Sequence, residues 1–297
     1  AAINAVVSPW FVRNRPAALA MAYNGASIGG VVFAPLWVAA IGLVGFPLAA
    51  AGVGLVVALA IWVLSGRLFA QTPQQLGLTP DGDAPGAPAV AVAPSRAKPL
   101  PRAALWRDAR FLTLAAGMAF GLFAQIGLLA HLFSLLAPVL GAQQAGLAMS
   151  AATAAAIAGR SLVGWLMPVK ADRRLVACAS YAVQIGGSVA FIVSGGTSVP
   201  PLLLGVLLFG AGIGNATSLP PLIAQMEFVK DDVPRVVSLI VAIAQAAYAF
   251  APAAFGLIRE FAPAVIDAKP GAAVLLFAAA ALVQGLAMTA FLAGRRR

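Results

Sequence analysis

The sequence has few charged residues: Asp, Glu, Lys and Arg make up 9% of its 297 residues, against about 25% in a soluble domain. It also has only one cysteine, Cys178, and one histidine, so neither an internal disulfide nor a zinc site of the usual composition can form. Hydrophobic residues make up 62% of the chain, and the mean hydropathy is +0.96. These values exclude a disordered chain and a soluble enzyme, and they indicate a membrane protein.

Long stretches without any charged residue divide the chain into membrane-spanning lengths. A spanning helix needs about 20 apolar residues, so a charge-free stretch of roughly 50 can hold two helices with a turn between them. Breaks rich in glycine and proline separate the helices within each stretch. The sequence therefore predicts an all-α polytopic membrane protein with eight spans, at residues 17–41, 46–66, 111–136, 144–168, 175–194, 201–225, 236–258 and 271–293.

Residues 67–110 differ in composition from the rest of the chain. They contain seven prolines, together with aspartates and basic residues. Proline at this density prevents a continuous helix, because each ring removes a backbone donor and clashes with the preceding turn. We therefore predict that residues 67–110 form a solvated linker. It would join residues 1–66, part of one helical bundle, to residues 111–297, a six-helix bundle.

Basic residues are distributed very unequally between the two sides of the predicted spans. One set of flanks holds sixteen of the nineteen Lys and Arg residues and the other holds two, Arg259 and Lys269, while Arg160 lies within a span. The positive-inside rule predicts that the linker and both ends of this chain are cytoplasmic, in an inner or plasma membrane. This distribution accounts for the net charge of +10 without a nucleic-acid partner, which would need one solvated basic face.

Arg160 is the most informative polar residue within the predicted spans. An arginine at the centre of a spanning helix costs about 2.5–3.5 kcal/mol on insertion scales. The apolar residues 161–169 that follow it extend about 12 Å, further than the side chain readily reaches. None of the proposed spans contains an acidic residue. We predict that Arg160 binds the carboxylate of a substrate; the alternatives are a structural arginine bonded to backbone carbonyls, or a side chain that reaches the interface.

Other polar residues within the spans are weaker candidates. His131 titrates near neutral pH, so it is the histidine available for proton coupling, although a packing role is the alternative. Asn215, Gln245 and Tyr248 are predicted as further cavity residues. Interhelical hydrogen bonding is the alternative for these and for the remaining polar residues, which are Asn24, Gln125, Gln184, Thr217 and Ser218.

Two features suggest no cofactor chemistry. The glycine-rich run 210–214 lies inside an apolar span and follows no strand, so it predicts close helix packing rather than a nucleotide-binding loop. The spans also offer few acid, base or nucleophilic groups. We therefore expect no cofactor, no metal and no enzymatic activity, and we expect the partners to be the lipid bilayer and a small-molecule substrate.

Several motifs occur in an order and spacing that resemble the major facilitator superfamily of secondary transporters. Within it, the sequence resembles the branch of monocarboxylate transporters and oxalate/formate antiporters. The motifs are Trp10-Phe11, Arg13-Asn14-Arg15-Pro16-Ala17, Ala20-Met21-Ala22, Gly25, Gly29-Gly30, Pro35-Leu36, Pro73, Gly77-Leu78, Pro80-Asp81-Gly82, and Gly159-Arg160 with Gly164. The resemblance implies a twelve-helix fold in two bundles. The eight predicted helices would then be the fifth to twelfth, and the chain would be truncated at its N-terminus.

The resemblance also implies a function. It places a substrate-carboxylate arginine at Arg160, and Asp172-Arg173-Arg174 corresponds to a shortened gating motif. Ala156 stands where proton-coupled members carry an aspartate, and the span 236–258 lacks the lysine of oxalate-type members. We expect a secondary active transporter of a small, monocarboxylate-like organic anion that works by alternating access, as a symporter or an antiporter. The alternatives are a polytopic sensor or scaffold, a membrane-embedded enzyme, and a non-functional transporter fragment.

Overall fold

The computed structural model describes residues 6–7, 9–11, 15–82, 101–167, 171–261 and 273–295. The chain forms two compact units, residues 1–94 and 95–297, and the division between them falls within the predicted linker. Linker residues 83–100 lie outside the described residues, as do Arg13, Asn14, Lys170 and Lys269. The predicted limits of the bundles and of the linker stay predictions.

The first unit contains one long helical run, α1, at Arg15–Leu64. It is interrupted at Gly45, where φ is 75° and ψ is 162°. A glycine tolerates this backbone conformation because it has no Cβ, and it lies within the break predicted between the first two spans. A short π-helical turn, Ser65–Phe69, follows α1, and two 3₁₀ turns lie at Gln74–Leu76 and Pro80–Gly82.

The described residues of the second unit form seven helices, preceded by a single helical turn at Arg102–Leu105. Aspartate side chains cap two of them: Asp108 accepts a hydrogen bond from the Arg110 amide, and Asp172 accepts from the amides of Arg174 and Leu175. The helices are α2 (Ala109–Leu140), α3 (Ala142–Leu166), α4 (Arg173–Ser194), α5 (Val199–Glu227), α6 (Val233–Tyr248), α7 (Ala251–Glu260) and α8 (Val274–Ala293).

These helix bounds agree closely with the predicted spans of this unit, except that one predicted span contains a break. The span predicted at residues 236–258 is broken between α6 and α7 at Ala249 and Phe250, just before Pro252. A proline tends to interrupt a helix because it has no N–H to donate to the preceding turn. Pro220 and Pro221, by contrast, lie within the helical run of α5.

Across the described residues, seven helices are long and apolar enough to cross a membrane. The all-α polytopic fold is therefore confirmed. The first of these helices is Ala39–Phe69, and α6 and α7 count together as a single span. The total of eight spans and their numbering within a twelve-helix fold stay predictions.

Helix α5 lies close to both α3 and α4 because glycines line its contacts. A Cβ added at Gly210 would lie 2.5 Å from the Ala152 carbonyl oxygen of α3, and one added at Gly212 would lie 2.3 Å from Gln184 Cγ of α4. A glycine of α3 also contributes to this close approach: a Cβ added at Gly159 would lie 2.0 Å from the Ala211 carbonyl oxygen of α5. The glycine run at 210–214 thus serves close helix packing, as predicted from the sequence.

We predict that Gly159→Ala destabilises the protein by about 1–3 kcal/mol, because the added methyl group overpacks the α3–α5 contact. Gly164→Ala on the same helix is the matched control, since a Cβ there would meet nothing within 4 Å. Thermal unfolding in detergent can be followed with a thiol-reactive fluorophore, because Cys178 is the only cysteine and is 6% exposed. Equal melting temperatures for the two variants would refute this account of the packing.

Candidate functional site

Arg160 lies on the buried stripe of α3, at the crossing with α5. A buried residue recurs on this stripe every three or four positions, and the other buried residues are alanines: Ala145, Ala148, Ala152 and Ala156. Arg160 itself is 9% exposed, and its Nε donates a hydrogen bond of 2.9 Å to the Gly214 carbonyl oxygen. This bond is the kind expected of a structural arginine. The role of Arg160 in anion binding stays a prediction.

Of the other predicted site residues, Asn215 lies next to the α5 carbonyl that Arg160 contacts. It is buried and follows the Gly214 carbonyl that Arg160 contacts. It also borders a gap too narrow for water, together with Ser180, Tyr181 and Pro220. The structure therefore brings the Arg160 side chain of α3 to the turn of α5 that contains Asn215.

The remaining three predicted site residues lie at other helix contacts. His131 on α2 donates from Nε2 to the Pro252 carbonyl oxygen of α7, at 2.9 Å. Tyr248 is half-buried against the hydrophobic core, and Gln245, one turn earlier on α6, is exposed. Within the described contacts, these residues do not form one group with Arg160. Their assignment to a shared cavity stays a prediction.

Three glutamines form a buried amide cluster that sequence reasoning found only in part. Gln125 Nε2 and Gln284 Nε2 both donate to Gln184 Oε1, at 2.9 Å and 3.1 Å, and so join α2, α4 and α8. Interhelical hydrogen bonding is thus confirmed for Gln125 and Gln184. Gln284 was missed, although a lone amide within the apolar stretch 274–293 was a signal of the same kind.

A group of charged residues of the second unit meets at one end of its bundle. Arg174 is 2% exposed on its side chain, and it binds both carboxylate oxygens of Glu227, at 2.6 Å and 2.8 Å. Its remaining N–H groups donate to Thr113 Oγ1 and to the carbonyl oxygens of Arg110 and Phe291. All five donors are used, and one guanidinium ties together the ends of α2, α4, α5 and α8.

Two further ion pairs, Asp108–Arg110 and Asp172–Arg295, lie at the same end of the bundle. The hydrogen bond from the Arg110 side chain is the main cause that lowers the pKa of Asp108. Burial raises the pKa of Asp172, but bonds from Arg295, Leu175 and Arg174 outweigh it and lower the pKa. A lowered carboxyl pKa stabilises the folded state above the group's ordinary pKa of 3.8, and this contribution is lost as the pH falls through the folded-state pKa.

The sequence identified Asp172-Arg173-Arg174 as a motif but did not find the partner of Arg174. The predicted span ended at residue 225, whereas α5 continues to Glu227 as its last residue. The partner could not be found from spacing alone, because 53 residues separate the two members of the pair. In the described part of the chain, no group of three or more His, Cys, Asp or Glu side chains could hold a metal ion.

We predict that Glu227→Gln lowers the free energy of unfolding by about 3 kcal/mol, because it leaves the buried Arg174 guanidinium without its counter-charge. Asp231→Asn is the matched control, since Asp231 is an exposed carboxylate in the following turn. The melting temperatures of both variants can be measured by Cys178 labelling. A loss for Glu227→Gln no greater than that for Asp231→Asn would contradict this role of the pair.

The family model described as Major Facilitator Superfamily matches residues 1–252. No curated protein and no solved structure matches the chain. Together with the seven long apolar helices, this match shows that the chain belongs to the Major Facilitator Superfamily and is a multi-pass membrane transporter.

Proposed function

We propose that this transporter carries a small organic anion, of the monocarboxylate type, by secondary active transport. The observation that carries the proposal is Arg160: a guanidinium on a membrane-spanning helix, 9% exposed and held at a crossing of small residues. An arginine is costly to keep at membrane depth, so it is expected to face protein or a water-filled cavity and to have a function there. Membership in a transporter family makes substrate recognition the function to test first.

A carboxylate is the substrate group that best fits a buried arginine. The planar guanidinium can donate two parallel hydrogen bonds to the two oxygens of a carboxylate. The physical step is then the exchange of the anion's water shell for the Arg160 donors and neutral polar groups.

Asn215, His131, Gln245 and Tyr248 are proposed as additional substrate-contacting residues. Asn215 has the strongest support, because it follows the Gly214 carbonyl that accepts from Arg160 Nε. His131 is the proposed proton carrier if transport is proton-coupled, since Ala156 supplies no carboxylate one turn before Arg160. Both symport and antiport are compatible with these residues.

The proposed orientation and cycle follow from charge distribution and family membership. The sixteen basic residues on one set of flanks support a cytoplasmic location for the linker and for both ends of this chain, in an inner or plasma membrane. Transport by family members of this type alternates access through rocking of two bundles about a site near the bilayer midplane. Arg160 is proposed as the anion contact of that site.

We predict that Arg160→Gln lowers uptake of a small monocarboxylate by at least about tenfold, because one charge-assisted contact to the anion is lost. Arg160→Lys keeps the charge but not the planar fork, so it should retain part of the activity. Uptake of radiolabelled lactate, pyruvate and formate can be measured in proteoliposomes that contain the full chain.

The control is Arg259→Gln, which removes an exposed guanidinium from the end of α7. It should leave uptake near the wild-type rate. Cys178 labelling will show whether the Arg160 variants remain folded. Wild-type uptake in a folded Arg160→Gln variant would reject the proposed anion contact.

A further inference from the structure

A cleft of about 210 Å³ opens at the charged end of the second unit. It lies among the start of α4, the end of α5 and Arg295, which follows α8, and we call it the Arg173 cleft. Its lining contains the charged side chains of Asp172, Arg173, Arg174, Glu227 and Arg295. Its volume is below the roughly 300–1,000 Å³ of pockets for drug-sized ligands, so it suits a small ionic group.

The charges that line the cleft do not balance. Arg174 is bound on both carboxylate oxygens by Glu227, and Arg295 pairs with Asp172 at 2.6 Å. Arg173 donates one hydrogen bond, from Nη1 to the Leu222 carbonyl oxygen at 2.7 Å, and it pairs with no carboxylate of the described residues. The described lining therefore has an excess of one positive charge, carried by Arg173.

A second cation can be added at small cost. The pair between Arg295 and Asp172 is exposed, at 40% and 37% for the two side chains, and exposed pairs contribute at most about 1 kcal/mol. Arg295 can therefore leave Asp172 and turn toward an anion in the cleft. Arg174 cannot do so, because all five of its donors are already used in hydrogen bonds within the protein.

Apolar surface lies directly beside these charges. Met226, which lines the cleft, is 61% exposed, and Leu175 on the first turn of α4 is also exposed. A guanidinium beside exposed apolar helix surface at the end of a membrane span matches a phospholipid, whose headgroup is ionic and whose chains are apolar. Basic pockets between the cytoplasmic ends of membrane helices are known to bind such headgroups.

We propose that the Arg173 cleft binds a phosphate group, carried by an anionic phospholipid of the surrounding leaflet or present as the free ion. Arg173 supplies the donors that its carbonyl bond leaves available, and Arg295 closes on the same group. The site is separate from Arg160, and it gives the charged end of the bundle a ligand-dependent stability. Lipid composition, or phosphate, would thereby change the stability of the contact between α4 and α5.

Native mass spectrometry of the detergent-solubilised full chain tests the proposal. Titration with short-chain phosphatidylglycerol should give one bound lipid, and Arg173→Gln should bind it about tenfold more weakly. Arg107→Gln should retain wild-type affinity, because Arg107 is exposed and does not line the cleft. Equal affinity in the Arg173→Gln and Arg107→Gln variants, or equal binding of phosphatidylcholine and phosphatidylglycerol, would overturn the proposal.

A second arm distinguishes the two sources of phosphate. Inorganic phosphate that stabilises the protein against thermal Cys178 labelling and displaces phosphatidylglycerol identifies the free ion. Phosphatidylglycerol binding that phosphate does not displace identifies the lipid. If Arg173→Gln does not fold, Arg295→Gln replaces it, since Arg295 is exposed; unchanged phosphatidylglycerol affinity in that variant would then overturn the proposal.

Discussion

A membrane interior offers no water to a polar group, and the structure of the second unit depends on this constraint. The backbone meets it by forming helices, in which each span satisfies its own N–H and C=O groups. Polar side chains must find partners in neighbouring helices. Arg160 therefore contacts a carbonyl of α5, and three glutamines share hydrogen bonds among α2, α4 and α8. Glycines make these contacts possible, because they let the helix axes approach closely.

The two buried arginines, Arg160 and Arg174, meet the same constraint in different ways. Arg174 lies at the end of the bundle and has a carboxylate partner on an adjacent helix, so its charge and all five of its donors are balanced within the protein. Arg160 lies further along a span, where its Nε donates to the Gly214 carbonyl oxygen of α5. The Arg174 contacts therefore join helix ends, whereas the Arg160 contact joins two spans at their crossing.

The fold was largely predictable from the sequence because charge is nearly absent from the spans and concentrated between them. The same reasoning located the breaks at Gly45 and between α4 and α5, where glycines adopt positive φ values. The site was less predictable. The Arg174–Glu227 pair and the contribution of Gln284 depend on which helix faces meet, and residues far apart in sequence give no local signal of such contacts. Hydropathy shows that a polar residue is buried in the membrane, but not which neighbour it contacts.

The break between α6 and α7 has a mechanical consequence. Pro252 has no N–H, so the Tyr248 carbonyl receives no ladder hydrogen bond from the position four residues later. Bending of the span at this joint disrupts no ladder bond at that position, whereas bending of an intact helix strains bonds on its outer side. His131 binds the Pro252 carbonyl and thus couples the joint to α2. Helices α6 and α7 can therefore tilt relative to each other at this joint, where the His131 imidazole holds the Pro252 carbonyl.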